Sequence, residues 1–133
     1  MDITSFSFYC TTSYADGCYS LSLERTEEGV HLLGEDLFLG GRMADAMIEE
    51  TTLDRLGELA GHYRIDRWDG FDKNKKNVSD GSTFTLNITL ADGGSVSAHG
   101  SNAFPDHYTE VSSEIRNIYD ELMEACGSPK QSG

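Results

Sequence analysis

Apolar and polar positions alternate with period two in two stretches near the start of the chain. Phe6, Phe8, Cys10 and Thr12 share one face of a strand, and Tyr19, Leu21, Leu23 and Arg25 share one face of the next. This pattern predicts strands over 3–12 and 18–25. The Asp16-Gly17 pair between them is a two-residue turn signal. That turn sets Cys10 opposite Leu23, Thr12 opposite Leu21 and Cys18 opposite Ala15, with both apolar rows on one side. Glu27-Glu28-Gly29 reads as the next turn, followed by a third strand over 30–39 and a break at Gly40-Gly41. Residues 42–50 fit either the start of a helix or a fourth strand over 43–49, paired back through the glycines. The strand is the preferred reading.

The period then changes to that of a helix. Leu53, Leu56, Leu59, Ala60 and Tyr63 predict a helix over 52–61, with Thr51 or Thr52 as N-cap, Asp54 in the first turn and Gly61 as the stop. Residues 65–71 read as extended, and 72–81 as a polar loop carrying Lys73, Lys75 and Lys76. The second hairpin has the clearest alternation. Phe84, Leu86, Ile88 and Leu90 face one way, and Val96 and Ala98 continue beyond Asp92-Gly93-Gly94. A three-residue loop at 92–94 sets Leu90 opposite Val96 and Ile88 opposite Ala98, keeping one apolar face. The outward residues of 83–90 are small or polar, which leaves one side of the sheet to solvent. Val111, Ile115, Ile118 and Leu122 stripe a final helix over 107–125, ended by Gly127 and Pro129.

Single apolar stripes and single apolar faces are satisfied together by an α+β two-layer sandwich. The expected form is an antiparallel sheet of five or six strands, ordered βββ(β)αββα, with two helices on one face. Residues 1–127 form a single domain in this reading, and 128–133 a disordered tail.

Composition narrows the function classes. The chain has 133 residues, enough to bury a core without disulfides or metal. Its 23 acidic and 10 basic residues leave a net charge of −13, which disfavours nucleic acid and anionic membranes. No apolar run approaches a transmembrane helix, and the N-terminus lacks the pattern of a signal peptide. Cys10, Cys18 and Cys126 are an odd number without a Cys-x-x-Cys, as expected of reduced thiols in a cytoplasmic protein.

Candidate chemistry is sparse. Ser97, His99 and Ser101 lie near Asp106 and His107 without a Gly-x-Ser-x-Gly elbow. His99, Asp106 and His107 are the residues of an alternative small hydrolase or metal-dependent enzyme, but no ligand spacing supports a metal. Asp72, Asn74, Asn77 and Asp80 lack the glycine and the closing glutamate of a calcium loop. The triplets beginning at Asn77 and Asn87 match glycosylation sequons that a cytoplasmic protein would not use. No cofactor is expected.

The remaining constellation is Trp68, Phe71, Phe104 and Tyr108, with His99 and Asn102 beside it. It fits either an aromatic ligand pocket or a joint locking the second hairpin to the helices. The joint is preferred, with Trp68-Asp69-Gly70 as a tight turn and Asn102 bonding neighbouring backbone. Trp68-Asp69-Gly70-Phe71, Asp80-Gly81, Phe84, Leu86, Asp92-Gly93, Gly100-Ser101-Asn102, Phe104-Pro105 and Tyr108 together resemble a family of small bacterial proteins without an assigned activity. The resemblance covers about a third of the chain and implies a bacterial source and an α+β fold. The expected function is that of a non-catalytic binding domain for a protein or small ligand. A homodimer contact through the sheet face or edge is a further expectation.

Overall fold

The strands and helices follow the periodicities of the sequence closely, and the pairings depart from it. The structure is a computed structural model and describes residues 1–11, 19–38, 40–75 and 81–129. Strands β1 (Ile3–Thr11), β2 (Tyr19–Thr26), β3 (Gly29–Asp36) and β4 (Arg42–Ile48) precede helix α1 (Thr51–His62). A 3-10 turn (Ile65–Trp68) leads to β5 (Asp72–Asn74), β6 (Thr83–Leu90) and β7 (Ser95–Ser101). Helix α2 (Tyr108–Cys126) and the two-residue β8 (Ser128–Pro129) complete the order.

All eight strands join one sheet in the order β5-β7-β6-β1-β2-β3-β4-β8. Every neighbouring pair is antiparallel except β5 with β7, which is parallel. The expectation of five or six antiparallel strands is therefore corrected to eight among the described residues, one in parallel pairing. The order becomes ββββαβββαβ. The additional strands are β5 and β8, three and two residues long. Neither carries an alternating apolar pattern, because neighbouring backbone and not burial recruits them. Residues 128–129, expected in a loose tail, pair with Arg42 and Met43.

Inner-face side chains of six strands, among them Phe6, Leu21, Leu32, Ala44, Leu86 and Val96, are buried in one core. Leu53, Leu56, Leu59 and Ala60 of α1 join it, as do Val111, Ile115, Ile118, Tyr119 and Met123 of α2. The two helices therefore cover the inner face. Burial of each such aliphatic side chain stabilises the fold by roughly 1.5–3 kcal/mol.

Within 42–50, Arg42–Ile48 is a strand, as preferred, with Leu32 opposite Ala46 and Gly34 opposite Ala44. The third strand stops at Asp36 instead of 39. Helix α1 begins at Thr51 after Glu50, without a side-chain cap, so neither Thr51 nor Thr52 is the N-cap. It runs through Gly61 to His62 before Arg64 adopts a left-handed conformation. Residues 65–71, expected extended, begin with the 3-10 turn.

Both hairpin registers differ from expectation by an even number of residues. Cys10 stands opposite Tyr19, and Leu23 opposite Phe6. Ile88 stands opposite Val96, and Leu86 opposite Ala98. The second loop is 91–93, one residue earlier than expected. The Gly93 N–H donates to the Leu90 carbonyl (3.0 Å) and the Leu90 N–H to the Gly94 carbonyl (2.8 Å). Gly93 takes φ 92°, the left-handed position such a loop requires. The Asp16-Gly17 turn and the partner of Cys18 lie outside the described residues.

Candidate functional site

The segment between α1 and β5 is shaped by its turn chemistry. The Phe71 N–H donates to the Trp68 carbonyl at 2.9 Å. Asp69 has φ −58° and ψ 130°, and Gly70 has φ 84°. This is a type II turn, and glycine meets its need for positive φ without strain. The turn folds Trp68 inward, 3% exposed, where its indole N–H donates to the Asp106 carbonyl at 3.2 Å. Phe84 of β6 is the hub of the aromatic cluster. Its ring centroid lies 6.2 Å from Trp68, 6.1 Å from Phe71, 5.9 Å from Phe104 and 4.7 Å from Tyr108.

Asn102 holds this joint together. It has φ 58°, its N–H donates to the Ser82 carbonyl, and its side-chain oxygen accepts from the Ser82 N–H at 2.9 Å. Its amide nitrogen donates to the Lys75 carbonyl at 3.3 Å. Trp68, Asn102 and the inner parts of Tyr108 thus bind the hairpin to the helices, while Phe104 remains 43% exposed. Burial pushes the Tyr108 hydroxyl well above its ordinary value.

His99 does not join Asp106 and His107. It projects from the outer face of the sheet, where its Nδ1 lies 2.9 Å from the Thr85 hydroxyl. Ser97 beside it donates to the Asn87 side-chain oxygen at 3.0 Å. His107 sits at the start of α2, 5.8 Å from the Tyr63 ring and 3.8 Å from Glu110. Among the described residues no three His, Cys, Asp or Glu side chains come together as a metal site. Asp72 and Asn74 of the calcium-like pattern are edge-strand residues, and Asn77 and Asp80 lie outside the described residues.

Among the described residues, the outward side chains of the sheet lie on the face away from the helices. Register carries one row across it from Met43 through Glu35, Ser20, Tyr9 and Thr85 to His99. The next row runs Asp45, Leu33, Ser22, Ser7, Asn87 and Ser97, and the third Met47, His31, Glu24, Ser5, Thr89 and Ser95. The β6–β7 half is small and polar. The β3–β4 half differs, because Leu33, Met43 and Met47 are each nearly half exposed at 45–47%. Leu33 stands opposite Asp45, and the methionines flank Asp45 two residues to either side. Diagonal neighbours on one face lie within reach of long side chains, so the three form one patch. Glu24, Glu35 and Asp45 surround it, with Glu27 and Glu28 at the adjoining turn. His31 contacts Asp45 at 2.7 Å.

The structure thus defines an acidic α+β domain with one wide, mostly antiparallel sheet and an uncovered outer face. No helix among the described residues is long and apolar enough to cross a membrane. Comparison with protein-family models, with curated proteins and with solved structures finds no match for the chain. Sequence reasoning missed the patch of Leu33, Met43 and Met47. The alternation of Met43 and Met47 with Ala44 and Ala46 carries the signal, since small residues inside imply methionines outside.

Proposed function

We propose that the protein is a non-catalytic, two-layer α+β binding domain of a bacterial cytoplasmic protein. It engages a positively charged protein partner over the outer face of its sheet. The observation that carries this reading is the acid-rimmed apolar patch of Leu33, Met43 and Met47 on the uncovered β3–β4 face. Large apolar side chains grouped on an open face mark interaction surfaces. The surrounding carboxylates, on a chain of net charge −13, select for a basic rim and accelerate encounter with it. A second copy of this chain fits less well, because it would bring Glu24, Glu35 and Asp45 against like charges. The resemblance of the Trp68–Tyr108 stretch supports the bacterial setting, and cysteine usage supports a reducing compartment.

Two peptides of equal positive charge test the reading, one an amphipathic Leu/Lys helix and the other its Ser/Lys counterpart. The Leu/Lys peptide is expected to bind about tenfold more tightly in a fluorescence-anisotropy titration. A Leu33→Ser/Met43→Ser/Met47→Ser variant keeps the charge and is expected to abolish that preference. Equal binding of both peptides, or an unchanged preference in the variant, would show that only net charge is at work.

A further inference from the structure

A second surface, independent of the sheet face, lies at the opposite side of the aromatic joint. A recess of ≈ 390 Å³ opens between the end of α1, the 3-10 turn, β5 and the link into α2. Its charged lining is the reverse of the molecule's. Arg64, Arg67 and Lys73 border it against one carboxylate, Asp106, with His62 and His107 at its rim. The neighbouring groove between the two helices shows the contrast, with Glu58, Glu114 and Glu121 against Arg55.

The cations of this recess are less neutralised than the other described arginines. Arg25, Arg42, Arg55 and Arg116 each hold a carboxylate within 3.3 Å. Arg64 reaches Asp66 only at 3.4 Å, with both side chains about half exposed. Lys73 extends over the Phe71 ring, 5.3 Å from its centroid. No carboxylate pairs with Arg67 or Lys73 among the described residues. Arg64, Arg67 and Lys73 thus converge on one concavity of a chain of net charge −13, and guanidinium and ammonium groups so placed are suited to an oxyanion.

The walls are preorganised. Arg64 and His107 are two of the three non-glycine residues at positive φ among the described residues, at 54° and 65°. Both line the recess. Backbone held in that region concentrates at ligand sites, because the surrounding structure must enforce it. The Trp68–Asp106 hydrogen bond ties the two walls together. Phe71 and the exposed Phe104 supply an apolar surface beside the cations.

We propose that this recess binds a small aromatic oxyanion, a flat ring carrying a phosphate or carboxylate. The guanidinium groups of Arg64 and Arg67 and the Lys73 ammonium hold the oxyanion, and Phe104 and Phe71 contact the ring. Phosphate and carboxylate share the chemistry that the cations recognise, and they differ in charge and geometry.

Trp68 is the only tryptophan of the chain and forms part of the wall, so its fluorescence reports occupancy. Phenyl phosphate, benzoate, inorganic phosphate and neutral benzyl alcohol are the probes. Saturable binding of phenyl phosphate or benzoate with millimolar or tighter affinity (~1 mM) is expected, and the stronger of the two identifies the oxyanion. Arg67→Gln/Lys73→Gln, at two exposed positions, should weaken it about tenfold or more with the thermal midpoint unchanged. Phe104→Ala should weaken phenyl phosphate while leaving inorganic phosphate as it was. Binding that survives the double substitution, benzyl alcohol binding as tightly as the anions, or no saturation by either aromatic anion up to ~10 mM would overturn the proposal.

Discussion

Asp36 is the one fully buried charged residue among those described, and its neighbours explain why it is tolerated. Its carboxylate accepts from the Arg42 backbone N–H at 2.7 Å, from the Arg42 guanidinium at 2.9 Å and from the Tyr119 hydroxyl at 2.6 Å. Burial alone would raise this carboxyl, but the hydrogen bonds from Arg42 and Tyr119 outweigh it and hold the group below the usual carboxylate range. Burial and the bond to Asp36 push the Tyr119 hydroxyl up in turn. The stabilisation by Asp36 is therefore complete above the unfolded-state value of about 4 and is lost as pH falls through the lower folded-state value. Asp36→Asn is expected to cost about 3 kcal/mol near pH 7, because Arg42 and Tyr119 lose their shared acceptor. Urea unfolding at about pH 7 and about pH 2.5 checks this, since the difference between variant and wild type should shrink in acid. A difference independent of pH would mean that Asp36 stabilises through packing and not through its charge.

At the scale of elements, the sheet has a strong centre and weak margins. β1 pairs along its length with both β2 and β6, and its inner side chains meet the core. β5 and β8 are exposed throughout and pair with a single neighbour each. Opening a strand of two or three exposed residues sacrifices a few hydrogen bonds and little apolar burial. Native-state hydrogen exchange should therefore find amides of β1 and β6 protected about a hundredfold or more beyond those of β5 and β8. Protection of β5 equal to that of β7 would instead make it part of the core cooperative unit. β5 matters because it carries Lys73 to the recess, so its position depends on backbone bonds to β7 and on the turn at Gly70. The Phe71 carbonyl accepts from the His99 N–H at 2.8 Å, and the Lys75 N–H donates to the Ser101 carbonyl at 2.9 Å.

The whole molecule carries its charge unevenly. A net charge of −13 on a chain of 133 residues opposes compaction through self-repulsion. Exposed pairs such as Arg55 with Glu121, at 2.6 Å, contribute little and are themselves screened by salt. Screening the net repulsion is thus the larger effect. Raising sodium chloride from about 20 to about 500 mM should raise the thermal midpoint by about 3–6 °C. A fall in the midpoint would show that specific ion pairs outweigh the repulsion. The same salt should weaken capture of a basic partner at the sheet face and of an anion in the recess, through opposite local fields on one molecule.

Alternation and helical spacing alone determined which residues face the core. Phe6, Phe8, Leu21, Leu23, Phe84, Leu86 and Ile88 are buried as their period requires. That assignment survived two wrong registers, one off by four residues at Cys10 and one by two at Ile88. Side chains repeat every second residue, so an even slip exchanges partners and leaves the faces intact. The turn at Trp68–Phe71 and the bonding of Asn102 were legible for a similar reason, because glycine and asparagine chemistry acts over a few residues. Pairing partners were not legible. β5 and β8 exist only because folded neighbours offer free backbone groups, which no local pattern encodes. Both candidate surfaces are of the same kind. Arg64, Arg67 and Lys73 are separated along the chain by a helical turn and a type II turn, and Leu33 by a strand crossing from Met43 and Met47. Only the tertiary structure decided that they meet, because long-range packing sets those distances.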